Sequence, residues 1–250
     1  MQKLRVRYAK RGRLRFTSHR DVARAFERAL RRAGVPMAYS QGFSPHPKIS
    51  WIGAAPTGVA SEAEYVEVQL VTAVEPAALA AALDEALPPG LDVLEVVVAG
   101  HGSLAERVDA AEWLVELPGI TEERLREAVG RLLAAESVMV SRKTKDGSRE
   151  IDVRPALIRV EVGEPAVGRP AVGIDMPPGA GPCGILTMVV RQTTPAVRPD
   201  DVLSALRVAA ALDLPVPAKA TRLAQGRLDD GEAVGALSDP LAQDRAASAG

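Results

Sequence analysis

Hydrophobic and polar residues alternate at the start of the chain. Leu4, Val6 and Tyr8 occupy every second position, and Arg5 and Arg7 lie between them. A period of two is typical of a β-strand that buries one face and exposes the other. The sequence therefore predicts an N-terminal strand with an apolar inner face and a basic outer face.

The period changes to that of a helix between Ser18 and Gly34. Apolar residues recur there at intervals of three and four positions, which brings them to one face of an α-helix. Ser18 is a residue type that caps helix N-termini, and glycine commonly follows a helix C-terminus. The opposite face of the predicted helix carries Arg20, Arg24, Arg28, Arg31 and Arg32.

Further segments complete the first 100 residues. We expect extended structure at 14–16, a short strand at 35–39, a loop rich in Gly and Pro at 41–48, an apolar segment at 49–54, a strand at 64–70, a helix at 76–87 and a strand at 91–99. The resulting order, β-α-β-β-α-β, is that of the split βαβ units of ferredoxin-like domains.

The pattern restarts after a Gly-rich linker at residues 100–103. Two segments, at 138–142 and 149–153, flank an Asp-Gly turn signal, which predicts a β-hairpin. The other predicted elements are a strand at 112–117, a helix at 121–134, strands at 156–162 and 185–190, a helix at 199–211 and a strand at 218–223.

We therefore predict an α+β fold of two tandem ferredoxin-like (split βαβ) units with antiparallel sheets, at residues 1–100 and 110–226. Residues 163–184 are rich in Gly and Pro and form either a long connection or a mobile insertion. Residues 227–250 are rich in Asp, Ala and Gly, so we expect a disordered C-terminal tail.

Charge is unevenly distributed along the chain. The net charge is −1, but residues 1–50 hold 13 Lys and Arg against two acidic residues, and residues 51–250 carry a net charge of −12. Seven of the eight aromatic residues also lie in the first 65 positions. Cations contact phosphates and aromatic faces stack on bases, so this combination suits single-stranded nucleic acid. The alternative is that the aromatic residues pack in the core; Phe43 and Trp51 are the best candidates for exposure.

Composition argues against several other classes. A hydrophobic fraction of 47% can form a core, no apolar run is long enough to span a bilayer, and the charged N-terminus has no signal-peptide character. We therefore expect a cytoplasmic protein without a membrane partner. The single cysteine, Cys183, excludes an internal disulfide and a cysteine-held metal cluster within the chain. We expect neither a metal nor a cofactor.

The loop Gln41–Lys48 is the least generic segment of the sequence. Two prolines stiffen it, and ordering that is complete before binding reduces the entropic cost of holding a ligand. The loop presents Phe43, Ser44, His46 and Lys48 to a ligand, unless it is a rigid crossover with incidental polar residues.

A second basic cluster surrounds the predicted hairpin, where cations serve either as solvated charge or as phosphate contacts.

Two long motifs, Arg13–Gly34 and Tyr39–Ser50, resemble the radical-SAM-associated protein family, a bacterial domain of unknown function. Shorter matches extend the resemblance over residues 2–225. The Cys-x-x-x-Cys-x-x-Cys motif of radical SAM enzymes is absent. The resemblance therefore implies a stand-alone accessory protein that acts beside a radical SAM enzyme.

From the residues and the resemblance together we predict a non-catalytic RNA-binding accessory module, acting beside a radical SAM enzyme in tRNA or rRNA modification. One alternative is a metal-independent RNA endonuclease with His19 and His46 as general acid and base. Another is a protein–protein adaptor that docks an acidic partner. The predicted RNA-binding residues are Arg13, Arg15, His19, Arg20, Arg24, Arg28, Arg31, Arg32, Phe43, Ser44, His46, Lys48, Trp51, Arg142, Lys143, Lys145 and Arg149.

Overall fold

The computed structural model describes residues 1–144, 147–163, 181–229, 231 and 234–248. The chain forms two compact units, each of mixed helix and strand with antiparallel pairing. The α+β class with largely antiparallel sheets is therefore confirmed. Unit 1 comprises Met1–Val108, Gln225–Arg227 and Ser238–Gly250; unit 2 comprises Asp109–Ala224 and Leu228–Leu237.

Unit 1 has the element order β-α-β-β-α-β. Its strands are β1 (Gln2–Lys10), β2 (Ile49–Ile52), β3 (Ala60–Leu70) and β4 (Leu91–Val98), and its helices are α1 (His19–Arg32) and α2 (Pro76–Ala86). β1 pairs antiparallel with β3 and β4, and β2 pairs antiparallel with β3. The strand order in this unit is therefore β4-β1-β3-β2.

Two local segments of unit 1 differ from the prediction. Residues 14–16 belong to a 3-10 helix at Gly12–Phe16 and are not extended. Residues 35–39 form isolated bridges, Met37 with Leu70 and Tyr39 with Pro47, in place of a strand. Proline has no N–H to donate, so the prolines in this region prevent a continuous ladder.

One face of the unit 1 sheet packs against α1 and α2. Leu4, Val6 and Tyr8 of β1 are buried there, which confirms the predicted apolar face. Full burial of each large apolar side chain contributes about 1.5–3 kcal/mol. This packing fixes the inward side of α1. The helices contribute Val22, Phe26, Leu30, Leu79 and Leu83 to the cluster.

α1 begins and ends where the sequence predicts. The Asp21 N–H donates to the Ser18 hydroxyl oxygen at 3.3 Å, so Ser18 is the N-cap. At the other end Gly34 adopts φ +63°, and the Val35 N–H donates to the Leu30 carbonyl. A left-handed glycine after the last turn is a common helix terminator.

Unit 2 contains the elements β5 (Ala110–Pro118), α3 (Glu122–Ala134), β6 (Met139–Thr144), β7 (Gly147–Asp152), β8 (Leu157–Val162), β9 (Cys183–Arg191), α4 (Pro199–Ala210) and most of β10 (Lys219–Leu228). Its main strand order is β10-β5-β9-β8, with β9 antiparallel to β5 and to β8. β6 and β7 form a separate antiparallel pair, which confirms the predicted hairpin strands. The turn of this hairpin, at 145–146, lies outside the described residues. So does the connection between β8 and β9, at 164–180.

The C-terminal segment is folded in its described residues, so the prediction of a disordered tail is wrong there. A short strand at Leu237–Ser238 precedes α5 (Ala242–Ser248), and Leu241 and Asp244 are fully buried. Leu241 belongs to a second apolar cluster of unit 1 together with Tyr65 of β3. The composition of this segment did not indicate that it packs, because only a few of its residues, such as Leu241 and Asp244, are buried.

α5 also changes the environment of the N-terminal strand. Arg5 of β1 is only 1% exposed, and one of its terminal nitrogens donates to both carboxylate oxygens of Asp244 at 2.8 Å. The prediction of an exposed basic face is therefore wrong for Arg5. Among the described residues, no helix is long and apolar enough to cross a bilayer.

Candidate functional site

The N-terminal cations form two groups with different surroundings. The first group lies on and just after β1. Lys3 and Arg5 both pair with Glu67 at 3.0 Å, and Arg11 pairs with Glu62 and with Asp92. The Glu62 carboxylate raises the pKa of the Arg11 guanidinium. These cations are neutralised by acidic residues that lie later in the chain.

Two further cationic side chains of β1 donate hydrogen bonds to backbone carbonyls. The Arg7 Nε donates to the Glu62 carbonyl at 3.0 Å, and the buried Lys10 ammonium donates to the Pro56 carbonyl at 3.2 Å. The charge excess of the first 50 residues is therefore partly a structural feature. It overstates the positive charge that a partner molecule meets.

The second group is the arginine row of α1. Val22, Phe26 and Leu30 face the core, and the arginines occupy the opposite, exposed side. Only a 3.7 Å pair between Arg24 and Asp21, with both side chains exposed, links this row to an acidic residue within the described chain. The arginine row consists of Arg20, Arg24, Arg28, Arg31 and Arg32, as the sequence predicts.

The arginine row has an electrostatic cost. Arg20, Arg24, Arg28 and Arg32 follow one another at intervals of four residues, and each like-charge pair at this spacing destabilises a helix by about 0.2–0.5 kcal/mol. Arg20 in the first turn also opposes the helix dipole. Arg31 and Arg32 in the last turn have the favourable sign for the dipole, so helix stability leaves Arg20, Arg24 and Arg28 unexplained.

The loop 39–48 is closed by backbone contacts. The Ser40 N–H donates to the His46 carbonyl at 2.9 Å, and the Lys48 N–H donates to the Ala38 carbonyl at 2.8 Å. Phe43 between these contacts is fully exposed, and Ser44, His46 and Lys48 are exposed as well. A pre-ordered loop thus holds an aromatic ring in solvent.

His46 is oriented by a serine within the same loop. The Nδ1 of its ring lies 2.9 Å from the Ser40 hydroxyl oxygen. The backbone N–H of His46 donates to the same oxygen at 3.1 Å. When the hydroxyl donates to Nδ1, the proton of the neutral ring lies on Nε2. This contact fixes the ring without a carboxylate.

Trp51 is less accessible than the sequence indicates. Its ring is half-buried and lies edge-on to Phe26 at 5.3 Å and to Tyr8 at 6.3 Å. The exposed His19 contacts the same indole edge-on, with ring centroids 5.3 Å apart. Trp51 therefore joins the core to the start of α1, and its faces are not both open to a ligand.

The two histidines have separate contacts. His19 contacts Trp51 and His46 contacts Ser40, and neither ring bonds to a carboxylate within the described part of the chain. Across these same residues, no group of three or more His, Cys, Asp and Glu is arranged to hold a metal ion. Cys183 is half-buried, and burial raises the pKa of its thiol, which disfavours the reactive thiolate.

The structure adds two exposed aromatic rings that sequence reasoning missed. Phe16 is 60% exposed, and the Arg15 guanidinium lies 4.6 Å from its ring centroid. Tyr39 at the base of the loop is half exposed. Phe16 lies in the basic turn two residues before the Ser18 cap, and its position between Arg15 and a helix N-terminus was the available signal. Arg13 of the same turn is exposed.

The hairpin cations of unit 2 are only partly accessible. Arg142 pairs with Asp201 and donates to the Ala196 carbonyl at 2.7 Å, so its guanidinium has a structural role. Lys143 and Arg149 are exposed. The predicted contact Lys145 lies outside the described residues.

Comparison with known families covers most of the chain. Residues 3–199 match the family described as an uncharacterized protein conserved in bacteria (DUF2344). No curated protein matches the chain. Because the family match spans more than three quarters of the 250 residues, the protein belongs to this family of bacterial proteins.

Proposed function

We propose that the protein is a non-catalytic RNA-binding module that acts in the cytoplasm beside a radical SAM enzyme, in tRNA or rRNA modification. The observation that carries this proposal is the exposed arginine row of α1, which the acidic residues of the described chain leave almost unneutralised. The row extends for about 18 Å from Arg20 to Arg32, at 1.5 Å per residue. Guanidinium groups along one line fit the regularly spaced phosphates of a nucleic-acid strand.

The fold supports the same proposal by analogy. Both units combine a β-α-β-β-α-β order with a 4-1-3-2 strand order, once the β6–β7 hairpin is set aside. We assign this arrangement to the ferredoxin-like class, which many RNA-binding domains share. In unit 1 the C-terminal segment occupies the sheet face opposite the helices. We therefore propose the helix side, and not the sheet face, as the RNA-binding surface.

The radical SAM partner rests on the sequence resemblance of Arg13–Gly34 and Tyr39–Ser50. A chain with one cysteine cannot supply three cysteine ligands, so the iron–sulfur cluster belongs to the partner. Affinity purification of the tagged protein from its own cells, with and without ribonuclease, tests this association. Co-purification of a radical SAM enzyme supports the accessory role, and its absence from both samples contradicts it.

RNA binding is tested by fluorescence anisotropy with a tRNA transcript and a labelled single strand, between about 50 and 200 mM salt. The affinity should fall with salt, with a logarithmic slope of about −0.7 for each phosphate contacted on a single strand. The double variant R24E/R28E should weaken binding by about tenfold or more and flatten the slope.

The matched control is R126E/R131E in α3, which changes the net charge equally. Both of these arginines already pair with glutamates of their own helix. The control should bind within about twofold of the wild type, because it removes no phosphate contact. Binding that is absent or independent of salt, or an equal loss in both double variants, contradicts the proposal.

A further inference from the structure

We infer that the RNA held by this surface is single-stranded, and that Phe43 and Phe16 stack on its unpaired bases. This inference rests on the proposed function, since it specifies the class of RNA that the α1 surface accepts. The arginine row alone would bind any polyanion. The exposed aromatic rings of the segments before and after the row make the distinction.

Phe43 is the strongest of these observations. Burying a phenylalanine side chain stabilises the folded state by about 1.5–3 kcal/mol. The Phe43 ring is fully exposed and forgoes this stabilisation. Hydrogen bonds at Ser40 and Lys48 close the base of the loop that carries it, and the ring lies in solvent at the tip of this anchored loop. A stiff loop with an apolar tip loses little entropy when a flat apolar group covers the ring.

Phe16 provides a second ring of a different kind. The Arg15 guanidinium lies 4.6 Å from its centroid, while the ring keeps 60% of its surface exposed. The backbone of Arg15 is anchored, because its carbonyl accepts the Gly58 N–H at 2.7 Å. A base stacked on the remaining ring surface would have a cation nearby for its phosphate.

The two rings belong to the segments that precede and follow the helix carrying the arginine row. Phe16 is two residues before the N-cap Ser18 of α1. At the other end the chain turns at Gly34, and the loop begins within a few residues, where Met37 pairs with Leu70. In this proposal, an RNA strand that follows the row meets Phe16 before α1 and Phe43 on the loop after it.

Base-paired RNA cannot use these rings. Within an A-form duplex the base faces are stacked on one another, and the deep, narrow major groove excludes side chains. Unpaired bases can turn outward and stack on aromatic residues. The carboxylates of an acidic protein would pair with the arginines. They do not come with the regularly spaced flat rings that accompany the phosphates of a nucleic-acid strand.

The test compares three probes of equal length, about 12 nucleotides, within the usual site size of single-strand binding proteins. They are a mixed-sequence single strand, its perfect duplex, and an abasic strand with the same phosphates. The wild type should prefer the single strand over both others by about tenfold or more. F43A and F16A should each weaken single-strand binding by about 5- to 100-fold and change abasic-strand binding less than about twofold.

The control is V208A, which truncates an exposed apolar residue of α4. It should leave all three affinities unchanged. Circular dichroism should show the same melting temperature for F43A, F16A and the wild type, since neither ring is buried. Rescue by F43W supports stacking.

The outcomes separate this inference from the proposed function. Equal salt-dependent binding of all three probes, or unchanged single-strand affinity in F43A and F16A, overturns the inference and leaves RNA binding in place. Failure of every RNA probe to bind overturns both. Displacement of the single strand by polyglutamate at equal charge concentration also overturns the inference, because recognition would then depend on charge alone.

Discussion

β1 and α1 contribute comparable numbers of cations from neighbouring stretches of sequence, but the fold treats the two sets differently. On β1, Arg5 is buried against Asp244, and Lys3 pairs with Glu67. On α1, the arginine row stays exposed, with one weak pair to an acidic residue among the described residues. The same residue type therefore holds the protein together in one region and remains available to a partner in the other.

α3 shows that an exposed arginine is not by itself a binding residue. It is the first helix of unit 2, as α1 is of unit 1. Arg126 pairs with Glu122, and Arg131 pairs with Glu127 at 2.6 Å, each one turn away along the helix. α3 balances its own charge, whereas α1 does not, and this difference directs the functional proposal to α1.

The largest expected effect comes from removing the anion beneath β1. Asp244 accepts from Arg5 and Arg107, so D244A removes the buried carboxylate that the two guanidinium groups share and leaves Arg5 with Glu67 alone. We expect the free energy of unfolding to fall by about 3–5 kcal/mol, as for other broken buried pairs. Urea denaturation measures this change.

The control for D244A is D213A, which breaks an exposed pair with Arg207. That change should cost about 0–1 kcal/mol, because exposed pairs are solvated and screened. Similar losses in the two variants would show that the cations of β1 are no more structural than surface charges, which would break the comparison.

The pH dependence of stability sharpens the same point. Burial alone raises the pKa of Asp244, but hydrogen bonds from Arg5 and the Gly100 N–H outweigh it and hold that pKa below its usual value. A carboxyl with a depressed folded-state pKa contributes stability above its unfolded pKa of about 3.9 and loses it as the pH falls through the lower folded value. Stability should therefore decrease with acidification below about pH 5.

Thermal melts between neutral and acidic pH measure this decrease. D244N is the comparison variant because it cannot titrate at this position, so its stability should decline less steeply over the same window. Parallel curves for D244N and the wild type would assign the acid sensitivity to other carboxylates.

The smallest expected effect is on α1 itself. R28E replaces repulsion with attraction toward Arg24, Arg31 and Arg32, which lie three or four positions away. We expect it to stabilise the protein by about 0.5–1.5 kcal/mol, from several pairs of 0.2–0.5 kcal/mol each. The gain in stability should accompany a loss of RNA affinity.

The mirror variant in α3 is R126E, which removes the pair with Glu122 and places two glutamates one turn apart. It should destabilise the protein by about 0.5–1 kcal/mol. Chemical denaturation of both variants gives the comparison directly. A destabilising R28E would show that the arginine row has structural partners after all.

Periodicity was sufficient to predict most elements of the two units. The alternation in β1, the helical spacing and caps of α1, and the hairpin strands β6 and β7 all depend on residues close in sequence. The exposed side of α1 followed from the same spacing. Such features are local, so neighbouring side chains and backbone preferences decide them.

Accessibility was predicted less well. Phe16 and Trp51 are both aromatic residues at the edge of predicted elements, yet Phe16 is exposed and Trp51 is half-buried against Phe26. Trp51 packs because its strand faces α1, and Phe16 does not because a 3-10 turn directs it elsewhere. Neither orientation can be read from one-dimensional spacing.

The sequence by itself determined the order of helices and strands, the charge asymmetry and the arginine row, because each depends on composition or on residues within a few turns. Only the tertiary structure decided which cations are free. The Arg5–Asp244 pair joins residues 239 positions apart, and Arg107 joins the same carboxylate. Pairing across such a separation depends on how the whole of unit 1 packs, so the C-terminal segment and the buried face of β1 could not be foreseen from local pattern.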